Sequence, residues 1–434
     1  MRIAIVGSGI AGMGAAWALH RDHEIVIYEK EPRPGGHSHT VDVDYDGTRI
    51  AVDTGFIVYN ELNYPNLTAL FAEIGAPTIS SRMTFGFSAK NGALEWQGNS
   101  IRTLFAQKRN VFSPSFHRMW MDILRFRREG LRDLEAGKTN GLSLGQYLSR
   151  NRYGDAFRDH CILPMGAAIR SSSPKDMLDF PAQSFIRFFE NHRLFYFDKP
   201  LWRTVKGGSR EYVKLLTKPF QDHLRLNTPV ARVMRNANGA AVTDATGHTE
   251  QFDQVIFASH SNQALSLLAD ATDAERSVLS AMRYAPNMVY LHRDASLMPK
   301  RKSVWSSWNY LAREGDDGAA VSVTYWMNEL QSIDKSRPLF VSLNPPRPPA
   351  AHLTFETIAC DHPQFDAAAL IAQRRLHLIQ GQRNTWYCGA YSGYGFHEDG
   401  LTSGLEVAER LGARLPWGKI SAPRVFGTLK EAAE

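Results

Sequence analysis

The sequence predicts an α/β protein: a Rossmann-type dinucleotide-binding domain into which a second, α+β domain is inserted. Three observations support this fold class. An apolar strand at the start of the sequence leads into a glycine-rich turn, the pattern between about Pro65 and Phe197 is mostly helical, and a second glycine-rich loop precedes the last helix. A chain of 434 residues is also too long for one ordinary core.

The N-terminal segment reads as strand, turn, helix and strand. Residues 2–7 predict a buried parallel strand, Gly7–Gly14 a turn that opens a helix to about His20, and Glu24–Glu29 the next strand. From about Val205 the same kind of pattern returns, with predicted strands at Val230–Met234 and Gln254–Ala258. These segments are expected to complete the dinucleotide-binding domain.

The turn carries the sequence Gly-Ser-Gly-Ile-Ala-Gly, which matches the dinucleotide fingerprint between a strand and a helix. We expect Gly7 to permit the tight turn, Gly9 to let the backbone approach a pyrophosphate, and Gly12 to let helix and strand pack closely. The helix N-terminus supplies unpaired N–H groups for the diphosphate. Glu29 ends the second strand, where an acid accepts hydrogen bonds from ribose hydroxyls and favours an unphosphorylated ribose over NADP.

A second segment discriminates between NAD and FAD. Pro-Gly-Gly-His-Ser-His-Thr at residues 34–40 is followed by Asp-Thr-Gly-Phe at residues 53–56. A paired glycine beyond the acid brings more backbone against the cofactor, which an extended FAD uses. The alternative is a simple Pro-Gly turn between strands.

A third segment, residues 386–404, is a glycine-rich loop that is expected to enter a helix at Leu405–Leu411. It supplies further backbone donors, placed to face the reactive ring of the cofactor. Its polar side chains Tyr391, His397 and Glu398 are candidates for a base that removes a proton as hydride leaves; alternatively they only hydrogen-bond the loop and the cofactor. The residues expected to contact FAD are Gly7, Ser8, Gly9, Ala11, Gly12, Glu29, Lys30, Gly36, His37, Ser38, Thr54, Gly55, Phe56, Val230, Ala258, Gly389, Leu401 and Thr402.

At these three segments the chain resembles the superfamily of FAD-dependent amine oxidases, protoporphyrinogen oxidases and phytoene desaturases. More narrowly, it is similar to a bacterial branch of predicted NAD/FAD-binding proteins that includes the flavoprotein desaturase of furan and methylated fatty acid formation. The stretches that carry the likeness are Gly55-Phe56, Lys206–Tyr212, His292, Trp305–Asn309 and Gly395–Gly400.

The resemblance implies a discontinuous, GR2-like FAD-binding domain formed by residues 1–64, 205–285 and 386–434. Residues 65–204 and 286–385 are then the substrate domain, with short aromatic strands at Met288–His292 and Val321–Met327 and a proline-rich end at Asn344–Pro349. The implied cofactor is non-covalent FAD, and the implied reaction is hydride removal from a C–H bond or an amine.

Two departures from the superfamily favour an apolar substrate over an amine. His37 stands where amine oxidases commonly place an arginine, and Phe396 stands where a cage tyrosine is expected. The cysteine pattern that links flavin covalently is missing as well, since Cys360 lies in Ala-Cys-Asp-His. Without a second fingerprint for NAD(P)H, the expected electron acceptor is O2 or a quinone.

The predicted function is FAD-dependent desaturation of a long apolar substrate, a phospholipid-borne and methylated fatty acyl chain. One alternative is a flavin amine oxidase or porphyrinogen-type oxidase, and another is a non-catalytic flavin-binding protein on a membrane. The aromatic tract Phe180–Phe197 either lines an acyl channel or forms ordinary core.

The net charge of +6 and the basic amphipathic stretch Ser115–Leu134 suggest an anionic membrane surface as a partner; packing of the apolar stripe inward is the alternative. We expect no nucleic acid partner and no metal site. The first residues do not read as a signal peptide, and three widely spaced cysteines suit a reducing compartment. The expected location is therefore the cytoplasm, peripheral on the inner face of the membrane.

Overall fold

The structure is a computed structural model that describes residues 1–170, 174–191, 193–194, 200–312 and 322–426. Its strands are β1 (Arg2–Val6), β2 (Glu24–Tyr28), β3 (Thr40–Tyr45), β4 (Thr48–Asp53), β5 (Tyr59–Asn60), β6 (Thr78–Ser81), β7 (Phe85–Ala89), β8 (Leu94–Gln97), β9 (Trp202–Val205), β10 (Leu224–Arg225), β11 (Val230–Asn236), β12 (Gly239–Asp244), β13 (Thr249–Phe252), β14 (Gln254–Phe257), β15 (Tyr284–His292), β16 (Trp308–Leu311), β17 (Val323–Trp326), β18 (Phe340–Leu343), β19 (Thr354–Pro363) and β20 (Thr385–Tyr387).

The helices are α1 (Ile10–Leu19), α2 (Pro65–Glu73), α3 (Ile101–Leu104), α4 (Pro114–Glu135), α5 (Leu144–Arg150), α6 (Asp155–Phe157), α7 (Leu163–Arg170), α8 (Pro174–Asp179), α9 (Ala182–Asn191), α10 (Arg210–Thr217), α11 (Ser261–Leu267), α12 (Asp273–Leu279), α13 (Met327–Leu330), α14 (Ala367–Arg375) and α15 (His397–Arg410).

A parallel sheet forms the centre of the cofactor domain. Within the described residues its order is β10-β2-β1-β14-β20, so β1 is paired on both sides, with Ile5 opposite Ile27 and Ile256. All three isoleucines are buried, which is why β1, β2 and β14 read as continuous apolar runs. The predicted α/β fold class with a Rossmann-type domain is confirmed.

A separate antiparallel sheet, β11-β12-β13, belongs to the same domain and lies between β10 and β14 in the sequence. The turn at Asn238-Gly239 lies between β11 and β12, where Asn236 is paired with Gly239. A Cβ at Gly239 would lie 2.1 Å from the Phe252 carbonyl oxygen, so the close strand crossing requires glycine there.

A second, larger sheet has the order β19-β15-β18-β17-β16-β7-β8 among the described residues. The stretch from Pro65 is mostly helical, as expected, but it also contains β6, β7 and β8 between α2 and α3. The expectation that the proline-rich segment ends the strand region is wrong, because β19 follows it and pairs with β15. The pairing of β7 with β16 is parallel and joins Phe87 to Tyr310, a contact between distant segments that a local pattern does not reveal.

Helix α4 begins after Ser113, whose Oγ accepts a hydrogen bond from the Phe116 amide. The expected helix is present, but its aromatic stripe faces inward. Phe116, Met119 and Phe126 are 4%, 1% and 2% exposed. The prediction that this stripe rests on a membrane is therefore wrong, because the stripe is part of the helical core.

The aromatic tract is also core where it is described. Its buried members are Phe180, Phe185, Phe188 and Phe189. Phe195, Tyr196 and Phe197 lie outside the described residues, as does Val321 at the start of the strand expected at Val321–Met327. That strand is β17, which Met327 ends by starting α13.

The domain boundaries stay a prediction. The strands of the parallel sheet come from the segments 1–64, 205–285 and 386–434, except that β20 begins one residue earlier, at Thr385; residues 427–434 lie outside the described part of the chain. A small sheet, β5-β9-β6, pairs strands from both sides of the expected boundaries at 64 and 204. Among the helices that the structure describes, none is both long and apolar enough to cross a bilayer.

Candidate functional site

The glycine segments meet at the carboxyl edge of the parallel sheet, where ligands bind in open α/β folds. The Gly7 amide donates to the Tyr28 carbonyl at 2.8 Å, and the Ala258 amide donates to the Val6 carbonyl at 2.9 Å. The Gly35 amide donates to the Ser8 carbonyl at 2.9 Å. The paired-glycine loop therefore lies directly on the fingerprint loop.

The three fingerprint glycines have different surroundings. A Cβ at Gly12 would lie 2.0 Å from the Gly7 carbonyl oxygen, and Gly7 itself has a φ of +105°. A Cβ at Gly9 would meet nothing within 4 Å, although Gly36 approaches its Cα closely. Gly7 and Gly12 are thus required by the protein backbone, whereas the space at Gly9 is free for a ligand that comes close to the chain.

Glu29 is 7% exposed and joins the fingerprint to the second strand. Its Oε2 accepts hydrogen bonds from the Ser8 amide at 2.9 Å and the Ser8 hydroxyl at 2.6 Å, and its Oε1 accepts one from the Glu31 amide at 3.0 Å. The Thr228 amide donates to the Glu29 carbonyl at 2.8 Å, which brings the segment before Val230 to the same edge. Lys30 points outward and pairs with Glu31 at 3.7 Å.

The two halves of the second segment are hydrogen-bonded to each other. The Phe56 amide donates to the His37 carbonyl and the Thr54 amide to the His39 carbonyl, both at 2.8 Å. A Cβ at Gly55 would lie 2.1 Å from the His37 carbonyl oxygen. This glycine is therefore explained by the close approach of two backbones.

Helix α15 begins at His397, well before the expected Leu405. Asp399 closes its first turn, since Oδ2 accepts hydrogen bonds from the Tyr394 and Phe396 amides, both at 2.9 Å. Gly404, one of the glycines that suggested a loop, lies within the helix and is required by close packing, because a Cβ there would lie 2.2 Å from the Ala11 carbonyl oxygen. Helices α1 and α15 thus cross at backbone contact.

The remaining residues expected at the cofactor from this segment are buried in packing contacts. Leu401 lies against Gly14 of α1, and the Thr402 hydroxyl accepts a hydrogen bond from the Asn66 side chain at 2.9 Å. The Gly389 amide donates to the Ser403 hydroxyl at 2.9 Å. Cofactor contacts by Gly389, Leu401 and Thr402 stay predictions.

A polar cluster joins four of the sequence motifs. The Nε2 atom of His397 lies 2.6 Å from the Tyr212 hydroxyl and 3.3 Å from the Ser38 hydroxyl, and these two hydroxyls are hydrogen-bonded to each other. The His397 ring stacks on Phe56, with ring centroids 3.9 Å apart and 9° between the planes. The start of α15 is thus attached to the paired-glycine loop, to the segment after β4 and to α10.

Burial sets the protonation of this cluster. It lowers the pKa of His397 to about 3, helped by nearby His37, and it raises the pKa of Tyr212. The imidazole is therefore neutral and the phenol protonated at neutral pH. The phenol hydroxyl and Nε2 of this neutral pair are joined by one hydrogen bond.

Glu398 faces the other way from the cluster. Its Oε1 accepts hydrogen bonds from the Asn66 amide and side chain, both at 2.8 Å, and its Oε2 accepts one from the Leu67 amide at 2.9 Å. These donors lie in the first turn of α2, where an acid is favoured. Burial, with a contribution from Asp399, nevertheless raises the pKa of Glu398 to about 7.

Tyr391 is 3% exposed and packs in the core beside Phe257 and Tyr387. Its hydroxyl has no hydrogen-bond partner among the described residues. Burial raises its pKa well above the usual range, so the phenol stays protonated.

Three further histidines line the same edge of the sheet. The His37 ring centroid lies 6.5 Å from that of His260 and 5.6 Å from that of His362, and His260 stacks on Tyr284 at 4.3 Å. The Nδ1 atom of His260 is buried without a partner among the described residues. Burial lowers the pKa of His260 and of His362 to about 4, which keeps both rings neutral.

One group in the described chain has the composition of a metal site, although the sequence suggested none. Ligand atoms of His37, Cys360 and His362 lie within 4.8 Å of one another. However, the Asn287 side chain donates to Nδ1 of His362 at 3.3 Å, which places the ring proton on Nε2, the atom 4.0 Å from the Cys360 sulfur. Burial also raises the pKa of Cys360 to about 11, so in the absence of a metal this thiol is protonated at neutral pH.

Sequence reasoning missed several residues that hold the site together. Asp53 is fully buried; its carboxylate accepts hydrogen bonds from the Thr40 hydroxyl at 2.6 Å, the Ser209 amide at 2.8 Å and the Gln331 side chain at 2.9 Å. Asp53 lies in the Asp-Thr-Gly-Phe segment and Tyr212 ends the Lys206–Tyr212 stretch, so membership of these motifs is the signal that could have identified both residues. His260, His362 and Asn66 lie in no motif.

The fingerprint loop at Gly7–Gly12, which we call the glycine cradle, the acid Glu29 at the ribose position and the paired-glycine loop that lies on the cradle define a dinucleotide-binding oxidoreductase. Residues 10–330, about three quarters of the chain, match the family model described as flavin-containing amine oxidoreductase. The chain belongs to this family and is an FAD-dependent oxidoreductase.

Solved structures share the fold along almost the whole chain. A variant of putrescine oxidase has a TM-score of 0.68 at 17% identity, over 95% of this chain and 99% of that one. A fatty acid isomerase from P. acnes has a TM-score of 0.64 at 16% identity, over 95% and 99%. These likenesses concern the fold alone.

A curated relative, named as a probable zeta-carotene desaturase of Synechococcus elongatus, is 39% identical over 77 residues. The match covers 18% of this chain and 15% of that protein's length.

The residues present fit FAD. The space at Gly9 suits a pyrophosphate, the buried Glu29 carboxylate suits ribose hydroxyls, and the unpartnered Nδ1 of His260 is a polar atom at the same edge that a ligand can satisfy.

Proposed function

We propose that the protein desaturates a long apolar substrate, a phospholipid-borne and methylated fatty acyl chain, with O2 or a quinone as the electron acceptor. Desaturation removes a hydride from one carbon, for which bound FAD would supply the acceptor, and a proton from the neighbouring carbon, which passes to water; the electron pair left behind by the proton forms the C=C bond. Non-covalent binding is part of this proposal, because Cys360 lies in Ala-Cys-Asp-His and not in the pattern that links flavin covalently.

The observation that carries this proposal is an apolar wall beside the start of α15. The Phe396 ring stacks on Phe188, with centroids 5.7 Å apart and 11° between the planes, and Tyr394 meets Phe188 edge-on at 6.0 Å. Phe396 lacks the electron-rich phenol of an amine cage, so it favours a hydrocarbon over an ammonium group. The carotene desaturase and the fatty acid isomerase are named for long apolar molecules, which agrees with this choice.

Among the three residues predicted to be catalytic, we propose His397 as the group nearest the chemistry. Its Nε2 is hydrogen-bonded to the Tyr212 hydroxyl, which fixes the ring at the start of α15. With a pKa near 3 this imidazole is neutral at neutral pH and is a poor base. We propose that Glu398 positions α2 against α15 and that the Tyr391 hydroxyl, behind Gly389, meets the cofactor or substrate.

The location proposed for the protein is peripheral, on the inner face of the cytoplasmic membrane. The supporting observation is chemical: a phospholipid-borne chain is presented by a bilayer, and the chain carries a net charge of +6, which suits an anionic surface.

The test is the anaerobic visible spectrum of the FAD-loaded protein before and after addition of a phospholipid extract containing methylated acyl chains. We expect the oxidised flavin band near about 450 nm to bleach with the lipid and to return with O2 or a quinone. Bleaching by amines or a porphyrinogen but not by lipid would reject the acyl-chain proposal in favour of an amine or porphyrinogen-type oxidase. No bleaching by any of them would favour a non-catalytic flavin-binding protein.

A further inference from the structure

We infer that one face of the helical region docks the protein on an anionic phospholipid bilayer. The face consists of α3, the 3-10 turn at Lys108–Phe112 and the outer stripe of α4, and we call it the docking face. The inference rests on the membrane association proposed above and assigns it to residues on the side of α4 that faces away from the buried Phe116, Met119 and Phe126. These residues are separate from the cofactor site.

The docking face exposes large apolar side chains. Phe112, Ile101, Met121 and Leu124 are 86%, 79%, 62% and 52% exposed. Single exposed apolar residues are common, but a group of neighbours with this exposure marks an interaction surface.

Local contacts hold these residues on one continuous surface. The His117 ring of α4 is hydrogen-bonded to the Val111 carbonyl through Nε2 at 2.7 Å, which attaches the turn to the helix. Met121 and Leu124 follow His117 by one and two helical turns and therefore lie on the same stripe. The Phe105 ring at the end of α3 lies 5.8 Å from the His117 ring, so α3 adjoins this stripe.

The opposite stripe of α4 anchors the face. Phe116, Met119, Ile123 and Phe126 are buried in the helical core. Because the helix is held on that side, its outer residues are presented without further ordering of the backbone, which lowers the entropic cost of binding.

The charge of the face identifies its partner. There is no Asp or Glu between Glu95 and Asp122, and Asp122 is 3% exposed and paired with Arg118 and Arg125. The exposed cations of the face form no ion pair with any described residue: Arg102, Lys108 and Arg109. Unpaired cations interleaved with exposed apolar side chains are complementary to the headgroup layer of an anionic bilayer.

The first experiment is flotation of the FAD-loaded full chain with vesicles of phosphatidylglycerol and phosphatidylcholine, compared with phosphatidylcholine alone. We expect the affinity for anionic vesicles to be at least about 10-fold higher, and to fall when salt screens the surface. An acidic protein partner instead of a bilayer would leave the chain unbound to both vesicles, and that result would overturn the inference.

Paired variants then test the face itself. Met121→Ser with Leu124→Ser is compared with Ile371→Ser with Leu378→Ser, whose side chains are 59% and 52% exposed elsewhere on the surface. Arg109→Glu is compared with Arg374→Glu, another exposed arginine. We expect each docking-face variant to lose at least about 10-fold in affinity and each control to bind as the native chain does. Equal binding of all variants would overturn the assignment.

The readout separates docking from catalysis. Flavin content and circular dichroism establish whether each variant is folded. If Met121→Ser with Leu124→Ser does not fold, the vesicle affinities of Phe112→Ser and Arg109→Glu test the docking face instead. Docking-face variants are expected to bleach normally with detergent-solubilised lipid. Retained flotation without any lipid bleaching would reject the proposed reaction and leave the docking face standing.

Discussion

The ring of His397 lies parallel to that of Phe56 at a centroid separation of 3.9 Å, while its Nε2 is hydrogen-bonded to the Tyr212 hydroxyl at 2.6 Å. The first residue of the last helix is therefore held by stacking on one side and by the Tyr212 hydroxyl on its edge. This places the positive end of α15 against the paired-glycine loop, where a cofactor with a reactive ring is expected.

Removal of the Tyr212 hydroxyl should loosen this arrangement. In Tyr212→Phe, Nε2 of His397 loses its hydrogen-bond partner at 2.6 Å, and we expect the free energy of unfolding to fall by about 1–3 kcal/mol. FAD should also be lost more readily on gel filtration. Tyr59→Phe is the control, because Tyr59 is buried in the same core and its hydroxyl is hydrogen-bonded to no described residue. Equal denaturation midpoints for the two variants would contradict the role of the Tyr212 hydroxyl.

The fingerprint glycines should separate folding from cofactor binding. Gly9→Val is expected to leave the stability of the apoprotein within about 1 kcal/mol and to abolish FAD binding, because its side chain occupies the open space at the loop. Gly12→Ala is expected to lower the stability of the apoprotein itself, since its Cβ would meet the Gly7 carbonyl. The flavin-to-protein ratio and urea unfolding of the apoprotein measure the two effects. A native flavin-to-protein ratio in Gly9→Val would contradict the assignment of the pyrophosphate site.

Close packing of α1 and α15 should depend on Gly404. Gly404→Ala introduces a Cβ that would lie 2.2 Å from the Ala11 carbonyl oxygen, and backbone cannot move aside as a side chain can. We expect a loss of about 3 kcal/mol in the free energy of unfolding and weaker FAD retention. Glu409→Ala, on the exposed side of the same helix, should change neither. A Gly404→Ala protein of native stability would refute the backbone contact.

Stability should fall as pH rises through the range in which Glu398 titrates. Its folded-state pKa is about 7, above the value of about 4.3 expected for an unfolded glutamate, so the folded state binds the proton more tightly. The free energy of unfolding should then decrease between about pH 4.5 and 7 and level off above. Asp53, with a pKa raised to about 6, contributes in the same direction at lower pH.

Glu398→Gln should flatten this slope, because the variant has no proton to lose there. Urea unfolding at pH 5, 6, 7 and 8 measures it, and the difference between native and variant should reach a few kcal/mol across the range. Glu73→Gln, exposed at the end of α2, is the control. Identical slopes for the native chain and Glu398→Gln would show that Glu398 is not the titrating group.

Much of the cofactor domain was predictable because its signals are local. A buried parallel strand must be apolar throughout, and the turn after it must contain Gly7 for its φ and Gly12 for its packing, so β1 and α1 could be located to within a few residues. The start of α15 was placed too late, because Gly400 and Gly404 have the local pattern of a loop. Their reason lies in α1, which is distant in sequence.

The sequence by itself determined the Rossmann-type domain, the glycine cradle and the acid at its edge, since each depends on the conformation of a few consecutive residues. Only the tertiary structure decided that His397, Tyr212, Ser38 and Phe56 meet, and that Glu398 turns to α2. It also decided which stripe of α4 is buried, because a helix with two partly apolar sides does not specify which side its neighbours cover. Contacts between distant segments are set by the packing of the whole chain, and no local pattern contains them.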